Sequence, residues 1–342
     1  MVPELPLILL GGGFAAAFGI AAAMIAAPER LRIYAQPNAR SFHARPTPTS
    51  GGLAFVLPIT GYLVWLAALG SGTAGAIAAG GASLALIGLL DDRWELPKFL
   101  RLVVQLVVAG GMAWVVLQPA QQASAAVWWL AALVALALAW QINLYNFMDG
   151  IDGLAAAQAL LYAIGAQVIG GGLTTWVGDL LWLAAGASLG FLALNWPPAR
   201  LFMGDVGSYF LGLLTGVLTV LLWRQDLLSL PVSLILLSGF WFDASYTLIV
   251  RASTRQAFTQ PHRTHLYQKI AAKRGHLWTT VCYLVYGAFW LLPLSWMCAR
   301  SETGILAWDL LWVLPAVMPM AIAAACLGAG RPEPAPRDAH AH

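Results

Sequence analysis

Charge is what this chain has least of. Only 10% of its 342 residues are Asp, Glu, Lys or Arg, and 60% are hydrophobic; soluble chains carry about 25% charged residues. That composition cannot clothe a water-soluble fold, which excludes ordinary soluble enzymes, secreted disulfide scaffolds and free nucleic-acid-binding proteins. Cysteine is also scarce. Cys282, Cys298 and Cys326 lie in or beside apolar runs without metal-ligand spacing, and three cannot all pair within one chain, so they read as buried free thiols. No repeat of fixed period is present. What remains is an integral membrane protein.

Apolar runs of about 20 residues, the length that crosses the hydrocarbon core, occur about eleven times, near 5–27, 51–69, 73–90, 100–117, 126–144, 154–171, 178–195, 207–223, 229–250, 277–297 and 304–326. An all-α, polytopic membrane protein follows. The first run is too long for a signal peptide, carries Glu4 in place of a basic leader and precedes Arg30 and Arg32, so it is expected to stay as the first helix. An N-terminus outside puts sixteen Lys and Arg on the cytoplasmic side and leaves only Arg224 and Arg300 outside. The C-terminus is then cytoplasmic. Residues 1–327 form a single transmembrane domain whose loops 28–50 and 251–276 face the cytosol. The Pro-rich segment 328–342 is expected to be a disordered tail.

In so oily a chain, each acid needs a reason to be tolerated. Glu95 and Asp226 read as solvated helix ends. Asp91 and Asp92 follow the third run, Asp149 and Asp152 the fifth, Asp205 the seventh, and Asp243 sits late in the ninth. All of these runs point inward, so acids more than a hundred residues apart in sequence reach one cytoplasmic depth. Asn143, Asn146, Asp149 and Asp152 recur every three residues, which keeps them close on a helix or its frayed end. Gathered carboxylates repel unless a divalent cation or basic substrate neutralises them, and hard oxygen donors suit Mg²⁺ or Mn²⁺. Mg²⁺ at a membrane surface points to phosphates and phosphoryl transfer.

At these residues the sequence resembles the polyprenyl-phosphate N-acetylhexosamine-1-phosphate transferases, the family that includes the phospho-MurNAc-pentapeptide translocase and the enzymes that start O-antigen and teichoic acid synthesis. Gly88-Leu-Leu-Asp-Asp92 resembles its aspartate pair. Asn143-Leu-Tyr-Asn-Phe-Met-Asp-Gly-Ile-Asp-Gly-Leu154 resembles NxxNxxDGxDGL, the most specific match, and the segment from Asn195 to Ser208 ends in the family's FMGDxGS. Two stretches of the first loop, Pro37 to His43 and Pro46 to Gly52, match as well, and all five motifs fall in family order.

The resemblance implies transfer of sugar-1-phosphate from a UDP-N-acetylhexosamine to undecaprenyl phosphate, with release of UMP, at the cytoplasmic face of a bacterial inner membrane. It assigns catalysis to Asp91 and Asp92 and Mg²⁺ (or Mn²⁺) binding to Asp205. Nucleotide contacts fall to Asn146, Asp149, Gly150, Ile151, Asp152 and Asn195, with Phe202 stacking on uracil. Lys98 and Arg101 resemble the basic residues after the aspartate pair, at a spacing that lets only one reach phosphate. In Pro261-His-Arg-Thr-His-Leu-Tyr-Gln268, His262, Arg263 and His265 would meet the diphosphate or sugar. Tyr267 stands where the family usually has histidine, a form that resembles the O-antigen-initiating branch and differs from the peptidoglycan translocase. A homodimer is a further expectation of the resemblance. Of the alternatives, a translocase-type enzyme keeps the chemistry, whereas a transporter would need charges near mid-span, and this chain has almost none. The DGxxAR core of CDP-alcohol phosphotransferases is absent, because Ile151-Asp152-Gly153 follows Asp149-Gly150.

Overall fold

The computed structural model describes residues 4–26, 34–35, 47–117, 124–256, 262–301, 303 and 305–331. The motif from Pro37 to His43 and the tail 332–342 lie outside the described residues. Helices α1 (Leu5–Ala26), α2 (Leu53–Ala68), α3 (Gly72–Trp94), α4 (Lys98–Leu117), α5 (Ala125–Met148), α6 (Leu154–Ile169), α7 (Trp176–Asn195) and α8 (Gly204–Arg224) are followed by α9 (Leu230–Leu236), α10 (Ser238–Ser253), α11 (Leu266–Arg274), α12 (His276–Arg300) and α13 (Leu306–Leu327). A two-residue ribbon, β1 (Tyr34–Ala35) with β2 (Thr47–Pro48), is antiparallel.

Every apolar run is helical among the described residues, but not every one is a straight helix of full membrane-crossing length. Eight helices among the described residues are long and apolar enough to cross a membrane, and α9 with α10 makes a ninth if the bent pair is one span. The other two, α2 and α6, have 16 residues each, about 24 Å at 1.5 Å per residue, short of a core of about 30 Å. The sequence runs looked longer because they took in the glycines that bound these helices: Gly51 and Gly52 precede α2, and Gly170 and Gly171 follow α6. The ninth run is likewise not one rod. It bends by 73° at Leu237, and side chains replace the lost helical bonds: Gln158 Nε2 donates to Leu236 O at 2.9 Å and Trp241 Nε1 to Leu234 O at 2.9 Å.

Helix α8 runs through the middle, buried along nearly its whole length. Its polar residues are paired inside the bundle: Gln141 Nε2 donates to Thr215 Oγ1 at 3.2 Å, and the Tyr162 and Thr219 hydroxyls share a bond of 2.8 Å. Small residues set the approaches between helices. A Cβ on Gly186 or Gly190, four residues apart on α7, would lie 2.0 Å from Leu10 O or 2.4 Å from Phe14 O of α1, a GxxxG-like contact. The same device joins α3 to α8: a Cβ on Gly88 would lie 2.5 Å from the Asp205 carbonyl. The end of α3, the end of α5 and the start of α8 are therefore drawn together, and the acids ride on those ends.

The segment after β2 closes over the start of α8. Phe202 N–H donates to Pro48 O, Gly51 N–H to Phe202 O and Gly52 N–H to Met203 O, each at 2.8 Å. Residues 328–331, expected to open the tail, instead form a turn against the 262–265 loop, where Gly330 N–H donates to Thr264 O at 2.7 Å.

Candidate active site

Asp91 and Asp92 are adjacent in sequence but face different partners, as consecutive helical residues must. Asp91 is buried. It pairs with Arg101 and accepts Leu96 N–H on Oδ1 at 2.7 Å. Asp92 turns to the start of α8, where Oδ1 accepts Asp205 N–H and Oδ2 accepts the Ser50 hydroxyl, both at 2.8 Å. It thus satisfies one of the amides that a helix N-terminus leaves without an internal partner. Position 204 must be glycine twice over: its φ is +73, and a Cβ there would lie 2.4 Å from Asp92 Oδ2.

Asp205 gathers the rest. Its Oδ1 accepts Asn146 Nδ2 at 2.7 Å, its Oδ2 accepts the Tyr209 hydroxyl at 3.0 Å, and Arg101 Nη1 lies 3.5 Å from the same Oδ2. Asn146 Nδ2 also reaches Ser208 Oγ at 3.2 Å. Asn143, one turn earlier, donates to Gln105 Oε1 at 2.8 Å. Arg101 therefore stands between Asp91 and Asp205, while Lys98 lies exposed one turn nearer the start of α4.

Asp149 follows the last residue of α5, beside this group. Among the described residues nothing donates a hydrogen bond to its carboxylate. Its pKa is pushed well above the usual range, first by burial and then by the charges of Asp205, Asp92 and Asp152. No three histidine, cysteine or carboxylate side chains among the described residues make a ready metal cage. The donors nonetheless fit Mg²⁺, which takes one or two protein carboxylates and completes its shell with water and substrate phosphate oxygens. Asp149 is the observation in favour: a carboxylate without a donor, surrounded by other carboxylates.

A cavity of about 410 Å³ adjoins, lined by Thr47, Asp152, Phe202, His276, Leu277 and the Pro197–Ala199 segment. Asp152 is fixed in it: Oδ2 accepts Ala199 N–H at 3.0 Å, Oδ1 lies 3.2 Å from His276 Nδ1, and the backbone carbonyl accepts the Thr280 hydroxyl at 2.7 Å. Asn195 sits behind the cavity. Its Oδ1 accepts Gly153 N–H at 2.9 Å and its Nδ2 donates to Leu201 O at 2.8 Å, so it braces two loops and has spent both polar ends. Ile151 is buried, and Gly150 is exposed.

The 262–268 loop forms a third group. His262 and His265 stack with centroids 5.0 Å apart, and His265 stacks on Phe147 at 6.2 Å and Tyr267 at 5.8 Å. His262 Nδ1 lies 3.0 Å from Thr264 Oγ1. Burial, with His265 and Arg251 adding, lowers the His262 pKa to about 4, so the ring is neutral at physiological pH and offers hydrogen bonds without charge. Arg263 supplies permanent positive charge beside it. Asp243 is wholly buried and accepts Leu266 N–H at 2.8 Å, Tyr267 N–H at 3.0 Å and the Tyr283 hydroxyl at 2.7 Å.

Tyr209, Ser50, Ser208 and His276 are part of these groups but were not singled out from sequence. Tyr209 was findable, since it lies four residues after Asp205 on one helical face. Ser50 and His276 reach the site only through tertiary packing.

The glycosyl transferase family 4 model matches residues 74–223, which hold Asp91, Asp92, the Asn143–Gly153 segment and Asp205. A Mycobacterium tuberculosis (strain CDC 1551 / Oshkosh) protein named decaprenyl-phosphate N-acetylglucosaminephosphotransferase is 30% identical over 297 residues, covering 75% of this chain and 73% of that protein. A probable undecaprenyl-phosphate N-acetylglucosaminyl 1-phosphate transferase of Bacillus subtilis (strain 168) is 29% identical over 248 residues, 69% of each chain. A phospho-N-acetylmuramoyl-pentapeptide-transferase of Moorella thermoacetica is 42% identical over 108 residues, 31% of this chain and 33% of that protein. The chain belongs to glycosyl transferase family 4, among the polyprenyl-phosphate sugar-1-phosphate transferases.

Proposed function

We propose that the protein transfers an N-acetylhexosamine-1-phosphate from a UDP-sugar to undecaprenyl phosphate, releasing UMP, as the first membrane step of O-antigen or a related surface polysaccharide. The observation that carries this reading is the meeting of Asp92, Asn146 and Asp205 from three helices, with Arg101 beside Asp205. A phosphate oxygen of the lipid attacks the sugar-bearing phosphorus of the UDP-sugar, one P–O bond forms, and the bond to the UMP oxygen breaks. One diphosphate replaces another, so alignment and screening of charge are what the protein must supply.

Asp205, flanked by Asp92 and Asp149, would hold Mg²⁺, which when bound would supply positive charge against the diphosphate. Arg101 keeps positive charge beside Asp205, and Asn146 fixes that carboxylate's orientation. Asp91 is buried against Arg101, whereas Asp92 is only part-buried beside Asp205 and would face the lipid phosphate. Phe202 and Asp152 offer the adjoining cavity to uracil, Asn195 braces the loops behind it, and Gly150 and Ile151 link it along the chain to Asp149. His262, Arg263 and His265 complete the phosphate and sugar side, and Lys98 lies further out, toward the lipid headgroup. The weight of positive residues supports placing this face in the cytosol, with the N-terminus outside and the C-terminus inside, in a bacterial inner membrane. A homodimer remains an expectation of the family likeness.

The second reading, a pentapeptide-carrying donor, is favoured by the Moorella likeness. Tyr267 in place of histidine favours the first. Purified protein in detergent, given undecaprenyl phosphate, Mg²⁺ and a panel of UDP-N-acetylhexosamines and UDP-MurNAc-pentapeptide, should release UMP only with a simple aminosugar donor and lose the activity in EDTA. Release with the pentapeptide donor alone would select the second reading, and no release with any donor would remove both.

A further inference from the structure

The helix that carries Asn143 and Asn146 ends at Met148 with no backbone cap. Its last carbonyls therefore need donors from elsewhere. One comes from Tyr267, whose hydroxyl donates to Phe147 O at 2.9 Å while accepting from Gln268 Nε2 at 3.1 Å. Tyr267 is itself held in place: its N–H donates to Asp243 Oδ2 at 3.0 Å, and the Tyr283 hydroxyl steadies that same oxygen at 2.7 Å. Its ring is only 1% exposed, so it does not form part of an open binding surface. The hydroxyl also sits hard against the loop beyond the helix, where a Cβ on Gly150 would lie 2.1 Å from it. The C-terminal end of α5 and the N-terminal end of α11 thus meet at one side chain, in the orientation their dipoles favour.

We propose that Tyr267 is a positioning residue for the transfer reaction: it fixes the 147–150 segment, and through it Asn146 and Asp149, against Asp205. This rests on the transferase reading above. The cavity assigned to the nucleotide base has separate braces, Asn195 on Gly153, Thr280 on the Asp152 carbonyl and Ala199 on the Asp152 carboxylate. Loss of the Tyr267 hydroxyl therefore disturbs the phosphate-facing residues and spares the base cavity. That separation gives the proposal a signature that general destabilisation would not produce.

Tyr267→Phe keeps the ring and removes only the hydroxyl. It is expected to lower kcat for UMP release by about tenfold, the scale of one buried hydrogen bond, while the Kd for UMP, measured by calorimetry on the same detergent-purified protein, stays within about twofold. Gly150→Ala should be costly in the wild-type background and much less so beside Tyr267→Phe, because the atom that its Cβ strikes is gone. Amide hydrogen exchange should quicken at residues 147–150 and stay unchanged at 152–153 and 195–201. An unchanged kcat in Tyr267→Phe, additive losses in the double variant, or exchange that quickens throughout the bundle would each overturn the proposal. Wild-type UMP release separates the two ideas: its absence sinks the transferase reading, whereas the exchange pattern and the UMP Kd still report on Tyr267.

Discussion

Arg101 is held by two carboxylates at once, one buried on α3 and one at the start of α8. Removing a cation from such a pair leaves charge uncompensated in a poorly solvated place. Arg101→Ala should therefore lower UMP release by about a hundredfold through both Asp91 and Asp205, and Arg101→Lys should recover only part of it, because Lys lacks the planar fork. Equal activity in wild type and Arg101→Ala would show that the pair is incidental. His262 makes a pH prediction. Its folded pKa of about 4 lies below the ordinary 6.5, so the folded state resists protonation more than the unfolded chain. The stability that follows is present above about pH 6.5 and is lost as pH falls toward 4. Wild type should thus lose more thermal stability between pH 7 and pH 4.5 than His262→Gln does; parallel curves would contradict the assignment.

At the level of helices, the site depends on how closely α3 approaches α8. A methyl on Gly88 would strike the Asp205 backbone at 2.5 Å, and overpacking of this kind costs about 1–3 kcal/mol. Gly88→Ala should lower Tm in detergent and depress UMP release together, whereas Gly110→Ala, which meets open space, should change neither. The turn after α13 acts on the histidine loop: Gly330 N–H donates to Thr264 O, and Gln256 Nε2 donates to Gly330 O at 2.8 Å. A chain ending at Leu327 should lose several-fold activity that a chain ending at Arg331 retains, and equal activity in the two would mean the turn is dispensable. The apolar runs made the long helices legible in the sequence, but not α11, which lies in the segment 251–276 read as a loop. Glycine hid two things from a composition count, the short length of α2 and α6 and the close helix contacts, because hydropathy scores it as apolar filler while its backbone behaviour ends helices and admits neighbours. The bend at Leu237 was hidden because its compensating donors, Gln158 and Trp241, come from a distant helix and from beyond the break.

Across the whole molecule, the sequence already located the acids at the ends of separate runs, and their meeting is what the fold adds. Position along the chain could not tell that Asp91 is occupied by Arg101 while Asp92 faces α8, nor that Asn195 is a brace. Those distinctions depend on which way each side chain turns after the helices pack. The family likeness carried the motifs, Ser50 among them without a role, but not Tyr209, which helical spacing from Asp205 would have found, or His276, which reaches the site through packing alone. The most direct test of a single phosphate-handling centre is UMP release by Asp92→Asn, Asp205→Asn and the double variant, each verified as monodisperse. Groups that act as one unit are non-additive, so each single substitution should abolish nearly all turnover and the double should be scarcely worse. Near-normal release in either single variant, or losses that multiply in the double, would contradict the convergence of these aspartates on one reaction.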